Sequence, residues 1–412
     1  MRRVEYFHDA ADPYSQLTAQ ILPEFCRRYD VVLAPRLVSA PPDWAAPDRE
    51  KLVSYSRKDA ALLAAKAGLV FEDRGAQPSD ERIDIALGAL AAAIEADRFT
   101  EKAAEIGSRL WAGEGEAPGG SAKVAVLIED GNAQREAMGH YLGATFYYEG
   151  EWYWGLDRLH FLEARLQEEG ADQDGRSGDF LFAPPAVLDT APAGKPRSKT
   201  DLHFYLSFRS PYTAIAARRA KALAEAYGAN LKLRFVLPMV MRGLPVPRMK
   251  GLYILKDTAR EARRMDIPFG KVCDPVGMPV ERGYAILPWA IEEGRGFEFA
   301  ESFLRGVWAE GLDAGTDKGL KQITERAGLR WSDAKTLIGG DHWQAEAEAN
   351  RSEMMSLGIW GVPSFRVGDV SVWGQDRLWV IEDALKPAVK VSDVGAVAGE
   401  NLVEGAKHAR QQ

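Results

Sequence analysis

Cysteine is scarce: Cys26 and Cys273 are the whole complement of 412 residues, and they form no C-x-x-C pair. This argues against a disulfide framework and a dithiol redox motif. The six histidines are scattered, with no H-x-x-x-H or H-E-x-x-H spacing and no cysteine partner, so no metal is assigned. Basic charge is not in excess either. The formal net charge is −8, which argues against a general nucleic-acid binder, because phosphate recognition needs a basic face. No apolar run approaches the roughly 20 residues of a membrane span. The opening MRRVEYFHDAADPYSQ has no apolar segment of signal-peptide length. A Gly-rich phosphate loop is also missing. We expect a cytoplasmic protein that binds neither nucleic acid nor membrane and acts on a small molecule; a homodimer stays open.

An internal repeat organises what is there. Placing Pro13-Tyr14 over Pro211-Tyr212 sets an offset of 198, at which Tyr29, Leu33, Arg36 and Val38 fall on Tyr227, Leu231, Arg234 and Val236 without a gap. Near the end of each half, Gly155, Asp157, Arg158 and Leu159 fall on Gly374, Asp376, Arg377 and Leu378 at an offset of 219. The second half therefore carries a longer insertion between its matched ends.

Each copy reads as a strand (Val4 to Phe7; Leu202 to Leu206), an x-Pro-Tyr turn, and a helix (Gln16 to Tyr29; Ala214 to Tyr227). A second strand follows (Val31 to Val38; Leu231 to Leu237), then helical pieces that include Ser56 to Leu69, Arg82 to Ile106, Tyr253 to Met265 and Phe297 to Trp308. Two short strands about a Gly turn (146 to 148 and 152 to 154; 364 to 367 and 370 to 373) and a last helix close the copy. A β-α-β unit followed by a hairpin makes a mixed sheet. The expected fold class is α/β: two tandem thioredoxin-like domains, each with a mixed sheet and an inserted helical subdomain. The expected boundaries are 1–169, a Gly- and Pro-rich linker over 170–199, a second domain over 200–390, and a frayed tail over 391–412.

Three motifs in the second copy carry chemistry. Ser210-Pro211-Tyr212-Thr213 stands where a strand enters a helix. Ser210 as a plain N-cap is one reading. In the other, the helix start favours a thiolate and the Ser210 hydroxyl donates to it. Val362-Pro363-Ser364 opens a strand. A cis bond before Pro363 would leave the backbone of Val362 free to pair with an extended ligand. Trp373-Gly374-Gln375-Asp376-Arg377 leads into the last helix, where Asp376 either caps that helix or receives an ammonium group. Arg260, Arg263 and Arg264, with Asp257 and Glu261, read as a solvated helix face or as a clamp for a substrate carboxylate. Cys273 reads as a bystander thiol.

Together SFRSPYT, GVPSF and WGQDRL resemble the kappa-class glutathione transferases and 2-hydroxychromene-2-carboxylate isomerases, of the DsbA-like branch of the thioredoxin superfamily. The resemblance covers about Asp201 to Leu385 and implies a glutathione-dependent isomerase or transferase. It implies that Ser210 contacts the glutathione sulfur, that Val362 before Pro363 pairs with the cysteinyl backbone, and that Gln375 and Asp376 hold the γ-glutamyl end. Tyr212, Arg242 and Lys250 are added as substrate or ligand contacts. The chain departs from the family pattern at Met241-Arg242-Gly243-Leu244-Pro245, where Leu244 stands in place of a polar asparagine. The first copy reads as degenerate: Asp12 replaces Ser210 and would repel a thiolate, and Ala144 replaces Pro363. That erosion also fits a thioredoxin-fold scaffold without chemistry. A disulfide oxidoreductase would need a cysteine where Thr213 stands.

Overall fold

The computed structural model describes residues 2–114, 122–188 and 200–386. In the first half, β1 (Arg2–His8) pairs in parallel with β2 (Val31–Leu37), and the crossover between them is α1 (Pro13–Arg28). Four helices follow: α2 (Arg49–Ala67), α3 (Asp80–Glu95), α4 (Phe99–Ala112) and α5 (Ala122–Ala137). The chain then returns to the sheet as β3 (Thr145–Tyr148), antiparallel to β1, and β4 (Glu151–Trp154), and ends in α6 (Gly155–Glu168).

The second half repeats the plan. Its first pair, β5 (Asp201–Leu206) and β6 (Asn230–Phe235), is parallel about α7 (Pro211–Tyr227). Its inserted helices are α8 (Arg248–Arg264), α9 (Met278–Glu292), α10 (Gly296–Arg305), α11 (Asp317–Arg326), α12 (Trp331–Lys335) and α13 (Gln344–Ser356). The closing hairpin is β7 (Ser364–Val367) and β8 (Val370–Trp373), followed by α14 (Leu378–Leu385). The sheets have orders β2-β1-β3-β4 and β6-β5-β7-β8, the same arrangement in both halves.

The two cores sit at matching repeat positions. Tyr6 meets Phe146 with ring centroids 4.8 Å apart, and Phe204 stacks on Phe365 at 5.1 Å. Burying such rings is the main stabilising term for each sheet. The start of α7 is fixed locally. The Ser210 hydroxyl accepts from the Thr213 N–H, Pro211 occupies the first turn, and Gly228 closes the helix in a left-handed conformation.

Two expectations need correction. The stretch Arg82 to Ile106 is two helices, broken where Asp97 takes φ +54°. The stretch Phe297 to Trp308 ends its α-helix at Arg305 and continues as one π-helical turn over Gly306–Glu310. The first part of the expected linker packs on both halves. Phe182 is buried in the first core, Leu188 packs on the second, and their neighbourhood is held by buried carboxylates: Glu163 accepts from the Leu181 N–H (3.0 Å) and Glu382 from the Leu188 N–H (3.2 Å). The remainder of that linker, 189–199, and the expected tail lie outside the described residues.

Candidate active site

The N-termini of α1 and α7 line one cavity of about 420 Å3 between the two halves. Eight of the residues singled out in the second copy lie on its wall, Ser210, Tyr212, Arg242, Lys250, Val362, Pro363, Gln375 and Asp376, whereas Arg260, Arg263, Arg264 and Cys273 do not. A cavity of this size suits a small molecule.

At its centre, the Val362–Pro363 peptide is cis. The Ser210 hydroxyl donates to the Val362 carbonyl at 3.2 Å while accepting from the Thr213 N–H at the same distance. One of the two lone pairs of the Val362 carbonyl is thereby taken by Ser210, which the sequence reading did not anticipate. The Gly374 N–H donates to the Pro363 carbonyl at 2.9 Å and ties the third motif to the second.

The third motif is engaged by protein. Asp376 accepts from both terminal nitrogens of Arg158, a residue of the first half, at 3.0 and 3.1 Å, and also from the Gln375 amide. Gln375 is buried and its side-chain carbonyl accepts from Arg219 at 2.5 Å. Neither α6 nor α14 has a side-chain cap, so capping does not explain Asp157 or Asp376. With 26% of its side chain exposed, Asp376 still has a face open to a further donor.

These bonds belong to a reciprocal arrangement that sequence reasoning missed. Arg158 also binds Asp257 at 2.9 Å, and Asp257 accepts from Tyr212 at 2.7 Å. In mirror fashion, Arg377 binds Asp59 and Asp157 at 2.8 Å, and Asp59 accepts from Tyr14 at 2.7 Å. Each half thus inserts one arginine between two carboxylates of the other. The positions obey the repeat: Tyr14 and Tyr212, Tyr55 and Tyr253, and Asp59 and Asp257 are all separated by 198. Extending the gapless alignment into the insertion was the signal that would have found them. The network also corrects part of the solvated face expected on α8, where Arg263 and Arg264 are exposed as expected but the acids and Arg260 are not. Asp257 and Glu261 are buried, and Arg260 donates to the Trp152 carbonyl at 3.1 Å and lies over the rings of Tyr153 and Phe161. Despite its burial, Asp257 is held well below the usual carboxylate range by Arg158 and Arg260.

Two wall cations are not so consumed. Among the described residues Arg242 forms no ion pair, and Lys250 makes one hydrogen bond, to the Ala45 carbonyl at 3.3 Å. Burial lowers the pKa of both; for Arg242 the nearby Arg351 adds to it. Cys273 is a poor nucleophile here, its thiol pushed up by burial and by Asp313 and Asp274. Among the described residues there is no cluster of metal-ligating side chains, and no helix is long and apolar enough to cross a membrane.

Residues 201–386 match the family model of the DSBA-like thioredoxin domain. With the sheet order above, the second half is a DsbA-like thioredoxin domain, and the chain is built of two thioredoxin-like domains in tandem. The curated relatives of this chain include 2-hydroxychromene-2-carboxylate isomerase from Pseudomonas sp. (strain C18), 23% identical over 190 residues, which are 44% of this chain and 88% of the relative. The protein of that name from Sphingobium xenophagum is 24% identical over 200 residues, 45% of this chain and 97% of its own length. A solved 2-hydroxychromene-2-carboxylate isomerase aligns with a TM-score of 0.38 at 21% identity, over 49% of this chain and 97% of its own.

Proposed function

We propose that the protein is a cytoplasmic glutathione-dependent isomerase or transferase for a small electrophilic substrate, aromatic or unsaturated, with Ser210 stabilising the thiolate. The observation that carries this reading is the Ser210 hydroxyl at the start of α7, bonded to the carbonyl before a cis proline on the wall of the interdomain cavity. Bound glutathione would supply a nucleophilic sulfur that adds to the substrate and, in the isomerase variant, leaves again after a bond has rotated.

The chain's own part is binding and charge. The positive end of α7 and the Ser210 hydroxyl favour the ionised sulfur. To donate to it, the hydroxyl turns away from the Val362 carbonyl. Val362 borders the cysteinyl backbone, and Gln375 and Asp376 face the γ-glutamyl end. Asp376 shares its carboxylate between Arg158 and the ligand's ammonium. Leu244 supplies no polar contact, so more of the hold falls on these residues. Arg242 and Lys250, without carboxylate partners, favour an anionic group on the substrate, with Tyr212 beside them. The names of the relatives, isomerases of a bicyclic carboxylate, favour the isomerase variant.

Titration calorimetry with reduced glutathione tests the reading. Wild type binds at millimolar concentration or better, and Asp376→Ala binds at least about tenfold more weakly, as expected when a charge-assisted hydrogen bond worth roughly 1.5–3 kcal/mol is removed. Absence of heat at millimolar glutathione would overturn it.

A further inference from the structure

The first copy, although it lacks the serine and the proline, presents Asp12 and Asp9 to the same cavity that Ser210 faces from the second copy. Asp12 caps α1, accepting from the Tyr14 N–H and the Ser15 hydroxyl at 3.1 Å, while Asp9 accepts from the Ala11 N–H at 2.9 Å. Neither carboxyl forms an ion pair among the described residues, Arg49 being paired to Asp43 and Arg135 bonded to the Ser39 carbonyl. Gly143, at the repeat position of Val362, leaves room for them: a Cβ there would lie 2.7 Å from the Asp9 Cβ and 3.3 Å from an Asp12 oxygen. A second feature of the wall, independent of the acids, points to an occupant. Trp360 is 5% exposed and its indole N–H has no acceptor among the described residues.

We propose that Asp12 is the proton donor and acceptor of the reaction, working from the first copy on a substrate whose other face meets the thiol at Ser210. This rests on the thiol-dependent reading above. The substrate class it implies is an α,β-unsaturated carbonyl compound. As the carbon–sulfur bond forms at the β-carbon, the C=C electron pair shifts toward the carbonyl oxygen, and the Asp12 carboxylic acid gives its proton to that oxygen. The former double bond is then single and rotates. Asp12, now a carboxylate, takes the proton back as the double bond re-forms and the carbon–sulfur bond breaks, so no oxidant or reductant is consumed. The degenerate copy is in this account the acid–base half of a composite site.

Burial supports the role. It raises Asp9 to about 6 and Asp12 to about 7, the charge of Asp9 adding to the effect on Asp12. The other titratable groups acting on the pair are Tyr6 of β1, Arg49 of α2 and Arg135 of α5; Tyr14 of α1 acts on Asp12 through its backbone N–H alone, its phenol being turned to Asp59.

The test follows reduced glutathione with (Z)-4-phenylbut-3-en-2-one as probe, over pH 5–9, for wild type, Asp12→Asn and Asp9→Asn. Wild-type turnover falls with an apparent midpoint near pH 7, as the acid form is lost. Asp12→Asn lowers kcat by roughly 100-fold or more and abolishes that limb, while its calorimetric affinity for glutathione stays within about twofold. Asp9→Asn moves the limb to lower pH. Independently of turnover, the infrared difference between unliganded wild type and Asp12→Asn contains the C=O stretch of one carboxylic acid that titrates near pH 7, over and above the band that Glu163 gives in both proteins. If wild type turns over the probe and Asp12→Asn matches it in rate and pH profile, the acid–base role is wrong and the thiol site stands. If wild type neither binds glutathione nor turns over the probe, both fail.

Discussion

Titratable groups held away from bulk water, with Asp9, His8 and His140 buried and Asp12 half-buried on the cavity wall, set the pH response of this fold at the scale of single residues. Asp9 and Asp12 titrate above the ordinary 3.8, at about 6 and about 7, so the folded chain keeps protons that the unfolded chain has already lost. Their effect on stability is most favourable at low pH and is lost as pH rises from about 4 to about 7. His8 and His140 act in the opposite sense. Burial lowers each from 6.5 to about 3, so their contribution is intact above 6.5 and lost as pH falls toward 3. Asp12→Asn keeps a capping side chain but has no charge to bury. In urea titrations it gains about 1–2 kcal/mol at pH 8 and little at pH 4. An equal gain at both pH values would show that burial of the Asp12 charge is not the cause. At this scale Ser210 and the Val362–Pro363 pair were legible, because their chemistry is local to a helix start and a strand start. Asp9 and Asp12 were not: the loss of a serine reads as erosion until the cavity shows what Asp12 faces.

Between elements, the dominant feature is the pair of crossed arginines that link the start of α6 to α8 and the start of α14 to α2. Arg377 and Asp59 have 4% of their side chains exposed, and Arg158 and Asp257 have 3% and 1%. Such pairs are costly to break because a buried charge is left alone. Arg377→Met, similar in length but neutral, strands Asp59 and Asp157 and lowers the unfolding free energy by about 3–5 kcal/mol in denaturant melts. A loss under 1 kcal/mol would mean that water reaches these carboxylates. The strands, the hairpins and the helices that start at x-Pro-Tyr were legible from period and turn residues. The partners of Asp157, Arg158, Asp376 and Arg377 were not, because ion pairs across a docking surface depend on how two finished domains meet. The survival of both Asp-Arg pairs through an otherwise eroded repeat is the available clue.

At the scale of the molecule, duplication produced one cavity rather than two. Its walls come from both halves, Ser210 and the cis Val362–Pro363 peptide from one and the Asp9 and Asp12 carboxyls from the other. The copies are equivalent in sheet order and in their interlock, yet they differ at the two positions that decide what each helix start can hold: Ser210 against Asp12, and Pro363 against Ala144. A neutral hydroxyl at a helix N-terminus suits an incoming anion, whereas a carboxyl there excludes one and serves protons instead. The claim on which the rest depends is that the start of α7 ionises a bound thiol. The direct measurement is the ultraviolet absorbance of thiolate against pH for glutathione bound to the wild type and to Ser210→Ala. The account predicts a bound thiol titrating at least one unit below the roughly 8.5 of a free cysteine, with Ser210→Ala shifting it back toward that value. A bound thiol that titrates as it does in free solution, in both proteins, would contradict it.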